Sequence, residues 1–146
     1  MKMISEHIAY AEAIHSNTAK RKCIDNTPSP THVETMKKTA EKIFEPLRKF
    51  VNGPIKITSM FRSAALNEAI GGAKSSQHMK GQAMDLTNAE MYYWIKENLN
   101  FDQLIWEFGT DTNPNWIHVS YVSEDENRNR CLKAYKEKGR TKYKVI

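Results

Sequence analysis

His78, Asp85 and His118 are the residues of this chain whose types and setting could do chemistry: two imidazoles and one carboxylate, a donor set for a divalent metal. They lie in Ser75-Ser76-Gln77-His78-Met79-Lys80-Gly81-Gln82-Ala83-Met84-Asp85 and in Trp116-Ile117-His118-Val119-Ser120. A structural zinc site closes its tetrahedron with four side chains, mostly cysteines, whereas a catalytic site uses three and leaves a position for water or substrate. Three ligands therefore point to hydrolysis. Period-two alternation puts Asp85 on one face with Ala83 and Thr87, and Met84 and Leu86 on the other. In the same way His118 shares a face with Trp116 and Ser120, opposite Ile117 and Val119. If these segments are neighbouring strands, Asp85 and His118 project from one surface, and the loop carrying His78, broken by Gly81, folds over to complete the site. Spacing alone leaves a second reading open, in which both are ordinary histidines beside apolar neighbours; His7, His15 and His32 are read that way.

Ser76-x-His78-x-x-Gly81-x-Ala83-x-Asp85 with a later Trp-Ile-His resembles the zinc D-Ala-D-Ala carboxypeptidase superfamily of metallopeptidases, in particular its small members common in bacteriophage genomes. The resemblance extends over nearly the whole chain. It includes Ile24-Asp25-Asn26-Thr27-Pro28, Pro46-Leu47-Arg48, Ile57-Thr58-Ser59-Met60-Phe61-Arg62-Ser63, Leu66-Asn67, Gly71-Gly72 and Asp102-Gln103-Leu104-Ile105-Trp106-Glu107. It implies Zn2+ on His78, Asp85 and His118, and bacterial peptidoglycan stem peptides as substrate. Arg62, between a strand end and a helix N-cap, matches an arginine associated with substrate and transition-state stabilisation. Ser76 matches a position implicated in substrate binding, and Gln77 is assigned beside it.

The general base departs from the superfamily pattern. Relatives place Glu or Asp three residues before the last histidine, or His two residues before it; here those positions hold Asn115 and Trp116. The remaining acidic candidate is Glu107. If a hairpin pairs Phe108 with Ile117, Glu107 lies opposite His118 on the same face, close to the metal. Its other reading is a group that orients His118.

The elements expected to position these residues follow from pattern. A first helix is expected over residues 5–16, then a Pro-bearing loop over 25–31. Thr31 with Glu34 three residues on reads as a capping box. It opens a helix whose Val33, Met36, Ala40, Ile43, Phe44, Leu47 and Val51 form one buried stripe, kinked or ended at Pro46. Residues 55–59 read as a strand, Ser63 as the N-cap of a short helix ended by Gly71-Gly72, and Asn88 as the N-cap of a helix running to about residue 98. Strands are expected over 104–108 and 116–122, and a final hairpin over 131–146 turns near Lys138-Gly139. Phe44, Phe50, Tyr92, Phe101 and Phe108 are read as core. Helices first and strands later predict an α+β domain, with helices packed on one face of a small, mainly antiparallel sheet. The resemblance implies the same fold, with a zinc site on the open face.

Composition narrows the function classes. At 146 residues, 40% hydrophobic and 27% charged, the chain fits one globular domain, residues 1–146. Residues 1–7 turn polar before any apolar run develops, so no secretory leader and no membrane insertion are expected. Cys23 and Cys131 lie in no metal or redox spacing and read as free thiols. The net charge of +5 comes largely from residues 133–144 and Lys20-Arg21-Lys22. No recognition motif or aromatic platform accompanies that charge, so nucleic acid is not a partner. A solvated surface is its first reading and attraction to an anionic wall its second.

The expected function is thus a zinc peptidase of the wall, either a D-Ala-D-Ala carboxypeptidase or an endolysin-type endopeptidase, acting as a monomer. Without a leader it would be phage-encoded, held in the host cytoplasm before lysis or carried in the virion. The alternative is a catalytically weak or inactive zinc-binding or structural module of a phage particle, as the related hedgehog signalling domains illustrate.

Overall fold

The computed structural model describes residues 2–146. Strands β1 (Met3–Ser5) and β2 (Ile8–Ala9) form a small antiparallel hairpin that leads into α1 (Tyr10–Ala13) and α2 (Asn17–Lys22). The helix expected over residues 5–16 is therefore reduced to the single turn Tyr10–Ala13. Ile8, Ala11 and Ile14 fit a helical stripe, but the Ser5–His7 turn is tied to a distant acid: the His7 amide and Nδ1 reach Glu45 at 3.0 and 2.6 Å.

α3 (Pro30–Thr39) starts two residues earlier than Thr31 as N-cap implies. Ser29 is its N-cap, and His32 at the third position supplies the reciprocal bond expected from Glu34. A π-helical turn, Ala40–Phe44, joins it to α4 (Glu45–Val51), with the Glu45 amide bonding back to the Ala40 carbonyl. The wider turn takes up the missing donor and the ring of Pro46, so the helix is locally unwound and then continues. Met36, Ala40, Ile43, Phe44 and Leu47 are buried as the stripe predicts, whereas Val51 and Phe50 are exposed, Phe50 stacking on Trp94.

Residues 55–59 form no strand of their own. They run beside β3 (Ala83–Leu86) and make one bridge, Ser59 opposite Asp85, closed by Thr58 N–H to the Asp85 carbonyl at 2.9 Å and Asp85 N–H to the Ser59 carbonyl at 2.8 Å. α5 (Ala64–Ala69) and α6 (Ala89–Asn98) have the predicted N-caps, Ser63 and Asn88. β4 (Gln103–Glu107), β5 (Trp116–Ser120), β6 (Arg130–Glu137) and β7 (Arg140–Val145) complete a five-stranded sheet with β3. Its order is β3-β5-β4-β6-β7.

The sheet is mixed rather than mainly antiparallel, because β6 runs parallel to β4. The chain leaves β5, crosses through residues 121–129 and returns beside β4 in β4's own direction. Alternation then divides the sheet into two faces. Leu104, Trp106, Ile117, Val119, Met84 and Leu86 point into the main core, with the buried faces of α3, α4 and α6. Asp85, His118, Glu107, Ile105, Leu132 and Ala134 point to the other face, where Ile105, Leu132 and Ala134 form a small apolar patch of their own. Among the described residues no helix is long and apolar enough to cross a membrane.

Candidate active site

Asp85 and His118 are direct cross-strand partners in the β3–β5 ladder, so both side chains leave the sheet on the same face. His78 comes from a 3₁₀ turn, Gln77–Lys80, capped by Ser76, whose hydroxyl accepts the His78 amide at 3.2 Å. Gly81 ends that turn with φ +78 and lies against α3, where a Cβ would come within 2.8 Å of the His32 carbonyl. A side chain there would push the turn, and His78 with it, off the sheet.

The three groups converge. His78 Nε2 lies 3.2 Å and His118 Nδ1 3.3 Å from Asp85 Oδ1, and the potential ligand atoms all fall within 4.8 Å of one another. His78 Nδ1 is 2.7 Å from the Met60 carbonyl. A carbonyl only accepts, so Nδ1 of a neutral His78 carries the hydrogen and Nε2 turns its lone pair towards the Asp85 carboxylate. Two lone-pair donors facing each other at that distance, with His78 only 2% and Asp85 5% exposed, call for a positive charge between them, either a proton that makes His78 an imidazolium or a metal ion. The residues present thus fit a divalent metal held by His78 Nε2, Asp85 and His118 Nδ1. Burial alone would raise the Asp85 carboxyl, but the imidazoles of His78 and His118 outweigh it and hold Asp85 well below the usual carboxylate range. It is an anion throughout the neutral range.

Arg62 sits beside this group. Its Nε donates to Ser59 Oγ at 3.2 Å, Nη1 to Asn67 Oδ1 at 3.2 Å, and Nη2 lies 3.5 Å from Asp85 Oδ2. Burial lowers its pKa, opposed by the charges of Asp85 and Glu107. Two further residues set its position. Asn67 also donates to the Ala73 carbonyl at 2.8 Å, and a Cβ at Gly72 would collide with the Asn67 amide. Asn26, 9% exposed, accepts the Ser63 amide at 2.7 Å and donates to the Ile14 and Phe61 carbonyls at 2.8 and 3.2 Å. Sequence reading gave Asn26 and Asn67 no role of their own. A polar side chain inside an otherwise loop-forming Asp25-Asn26-Thr27-Pro28 run was the available signal.

Glu107 corrects the expected register. Ile117 pairs with Trp106 rather than Phe108, so Glu107 opposes Trp116 and it is Ile105 that opposes His118. Phe108, at φ +58, begins the turn and leaves the ladder. A slip of two residues preserves the face, so Glu107 stands diagonally across from His118 on the side of Asp85 and Arg62. Desolvation is the main cause of its raised pKa, with Asp85 adding to it and His118 and Arg62 opposing; the carboxyl is pushed up to about 7. A bound divalent cation would draw it back down.

Ser76, Gln77, Arg62, His78, Asp85, Glu107 and His118 all line one cleft of 810 Å³. Gln77 Nε2 is engaged with Asp102 Oδ2 at 2.8 Å, and Asp102 in turn grips the Arg128 guanidinium through both oxygens.

Residues 6–120 match the family model described as Peptidase M15. The chain belongs to the M15 peptidase family. No curated protein matches it. M15 peptidases are zinc-dependent metallopeptidases, and the matched span contains His78, Asp85, His118, Arg62 and Glu107. In this family member β6 and β7 lie outside the matched residues, although they complete the sheet and border the cleft.

Proposed function

We propose that the chain is a zinc peptidase that hydrolyses a peptide bond in the stem peptides of bacterial peptidoglycan. The observation that carries the reading is the His78–Asp85–His118 group, whose facing lone pairs fit a cation, with a half-buried arginine on one side and a protonatable carboxylate on the other. When bound there, zinc supplies Lewis acidity to a water nucleophile and to the scissile carbonyl.

The chain's own residues do the rest. Glu107 takes the proton of the attacking water and returns it to the leaving amine, a role suited to a carboxyl whose affinity for a proton is raised towards neutrality. Arg62 is held by Ser59, Asn67 and Asp85 through three of its five N–H groups, which leaves donors for the oxyanion that develops on the carbonyl. Ser76 and Gln77 border the cleft on the His78 side and contact the peptide there.

Incubation of the purified protein with muropeptides, with and without chelator, followed by mass analysis of the products, tests the reading. The expected result is a mass loss that chelator abolishes and added zinc restores. Terminal D-Ala release identifies a carboxypeptidase and an internal cut an endopeptidase. No product under any condition, with zinc bound, would leave an inactive zinc-binding module.

A further inference from the structure

The β6–β7 hairpin falls outside the residues that define the family, yet it borders the cleft with Leu132, Lys136, Thr141 and Tyr143. Sheet register explains how. Glu107 pairs with Ala134 across the parallel β4–β6 ladder, and Ala134 pairs with Tyr143 across β6–β7. In-register partners share a face, so Glu107, Ala134 and Tyr143 form one rank across the open side of the sheet, each about 4.8 Å from the next. Ala134, completely buried, is the small member of that rank. Within that rank only the Ala134 methyl separates Tyr143 from Glu107. Every residue of β7 is exposed, and Tyr143 is 53% exposed, an aromatic at the edge of a cleft rather than in the core.

We propose that the β6–β7 hairpin is a substrate-binding wall of the cleft, and that the Tyr143 hydroxyl hydrogen-bonds the bound peptide next to Glu107. The phenol is raised in pKa by partial burial and then by the Glu107 charge, consistent with a hydroxyl that reaches towards that carboxylate and remains a donor. Across the cleft lie Ser76 and Gln77, so a peptide lying over the Ile105–Leu132 floor would meet polar groups on both sides. The inference rests on the peptidase reading of the site and adds a specificity-determining residue to it.

The test uses the full chain loaded with zinc and a synthetic stem pentapeptide ending in D-Ala-D-Ala, comparing wild type with Tyr143→Phe and Tyr143→Ala. Loss of one neutral hydrogen bond predicts a KM raised about three- to tenfold in Tyr143→Phe, with kcat within about twofold and zinc content unchanged. Tyr143→Ala, which also removes the ring, should raise KM further. Wild-type KM and kcat in both variants would overturn the assignment. Should the wild type cleave nothing, the peptidase reading fails separately, and calorimetric titration of the same peptide decides this one. Weaker binding by Tyr143→Phe supports the wall; equal binding, or none by the wild type, rejects it.

Discussion

At the scale of single residues, the site is a set of groups whose charges are shaped by burial. Asp85 is stabilised as an anion by His78 and His118, whereas Glu107 is destabilised as one, and these opposite shifts suit the two carboxyls to the ligand and base roles proposed for them. Glu107→Gln should retain zinc and lower turnover by about 10² to 10⁴-fold, the usual contribution of a general base. If Glu107 instead orients His118, the variant loses zinc affinity and recovers activity in excess metal. A base must be ionised to act, so kcat/KM should rise with pH through an acid limb at or below about 7 that the variant lacks. The same raised pKa has a cost in the chelated protein. Between the ordinary carboxyl value of 4.5 and about 7 the folded state binds more protons at Glu107 than the unfolded state, so stability from this group falls as pH rises. Removing the charge should stabilise the chelated protein at pH 8 by on the order of 1–3 kcal/mol, read by urea denaturation. Asp85 does not confound this measurement, since its depressed pKa adds stability that is lost only as pH falls below 3.8. For Arg62, Ala should abolish most turnover with zinc retained, and Lys should recover only part, because an ammonium cannot reproduce three planar contacts at once. Wild-type rates in Arg62→Ala on a wall peptide would remove it from the mechanism.

At the scale of elements, the faces of the sheet were legible in the sequence while their long-range ties were not. Asp85 and His118 share a surface because both segments alternate, and that reading survives any slip of two residues, as the Glu107 register shows. Ser63 and Asn88 cap helices through their own nearest neighbours, so local sequence suffices for them. By contrast, the Met60 carbonyl that fixes the His78 tautomer is a backbone atom with no sequence signature. The Ser5–His7 turn depends on Glu45, far along the chain, and the π turn at Ala40–Phe44 on how the helix accommodates Pro46. The parallel placement of β6 is likewise a matter of where a loop returns. Asn26 is the element-scale counterpart of a ligand, because one side chain joins the end of α1, residue 61 and the start of α5. Asn26→Ala leaves one amide and two carbonyls without that partner, each costing about 1–3 kcal/mol where water cannot replace it. The expected outcome is a loss of about 2–4 kcal/mol in urea denaturation and a fall in turnover at full zinc occupancy, as Arg62 loses its frame. Unchanged stability would mean that water substitutes for the amide.

At the scale of the whole molecule, the two edges of the sheet are handled differently, and this gives the basic C-terminal segment a structural role. The β3 edge is covered by residues 57–59 through the Ser59–Asp85 bridge. The β7 edge is open, and its Arg140, Lys142 and Lys144 are all exposed. An open edge strand is a template for pairing with another copy, and charged side chains along it, lysine above all, are a common guard against that association. The +5 net charge is then partly a solubility device, concentrated where the fold most needs one. Lys142 and Lys144 alternate with Thr141 and Tyr143, so they can be changed without touching the cleft face. Lys142→Thr/Lys144→Thr exchanges two charges for a residue favoured in strands. The wild type should sediment as a monomer over the whole accessible concentration range. The double variant should self-associate with increasing concentration and keep the wild-type KM for a soluble stem peptide. If the variant stays monomeric, the lysines are not edge guards, and their charge is free for the anionic wall. Binding of the wild type to purified sacculi should then weaken steeply with salt, as expected for exposed charges once the Debye length falls below about 10 Å.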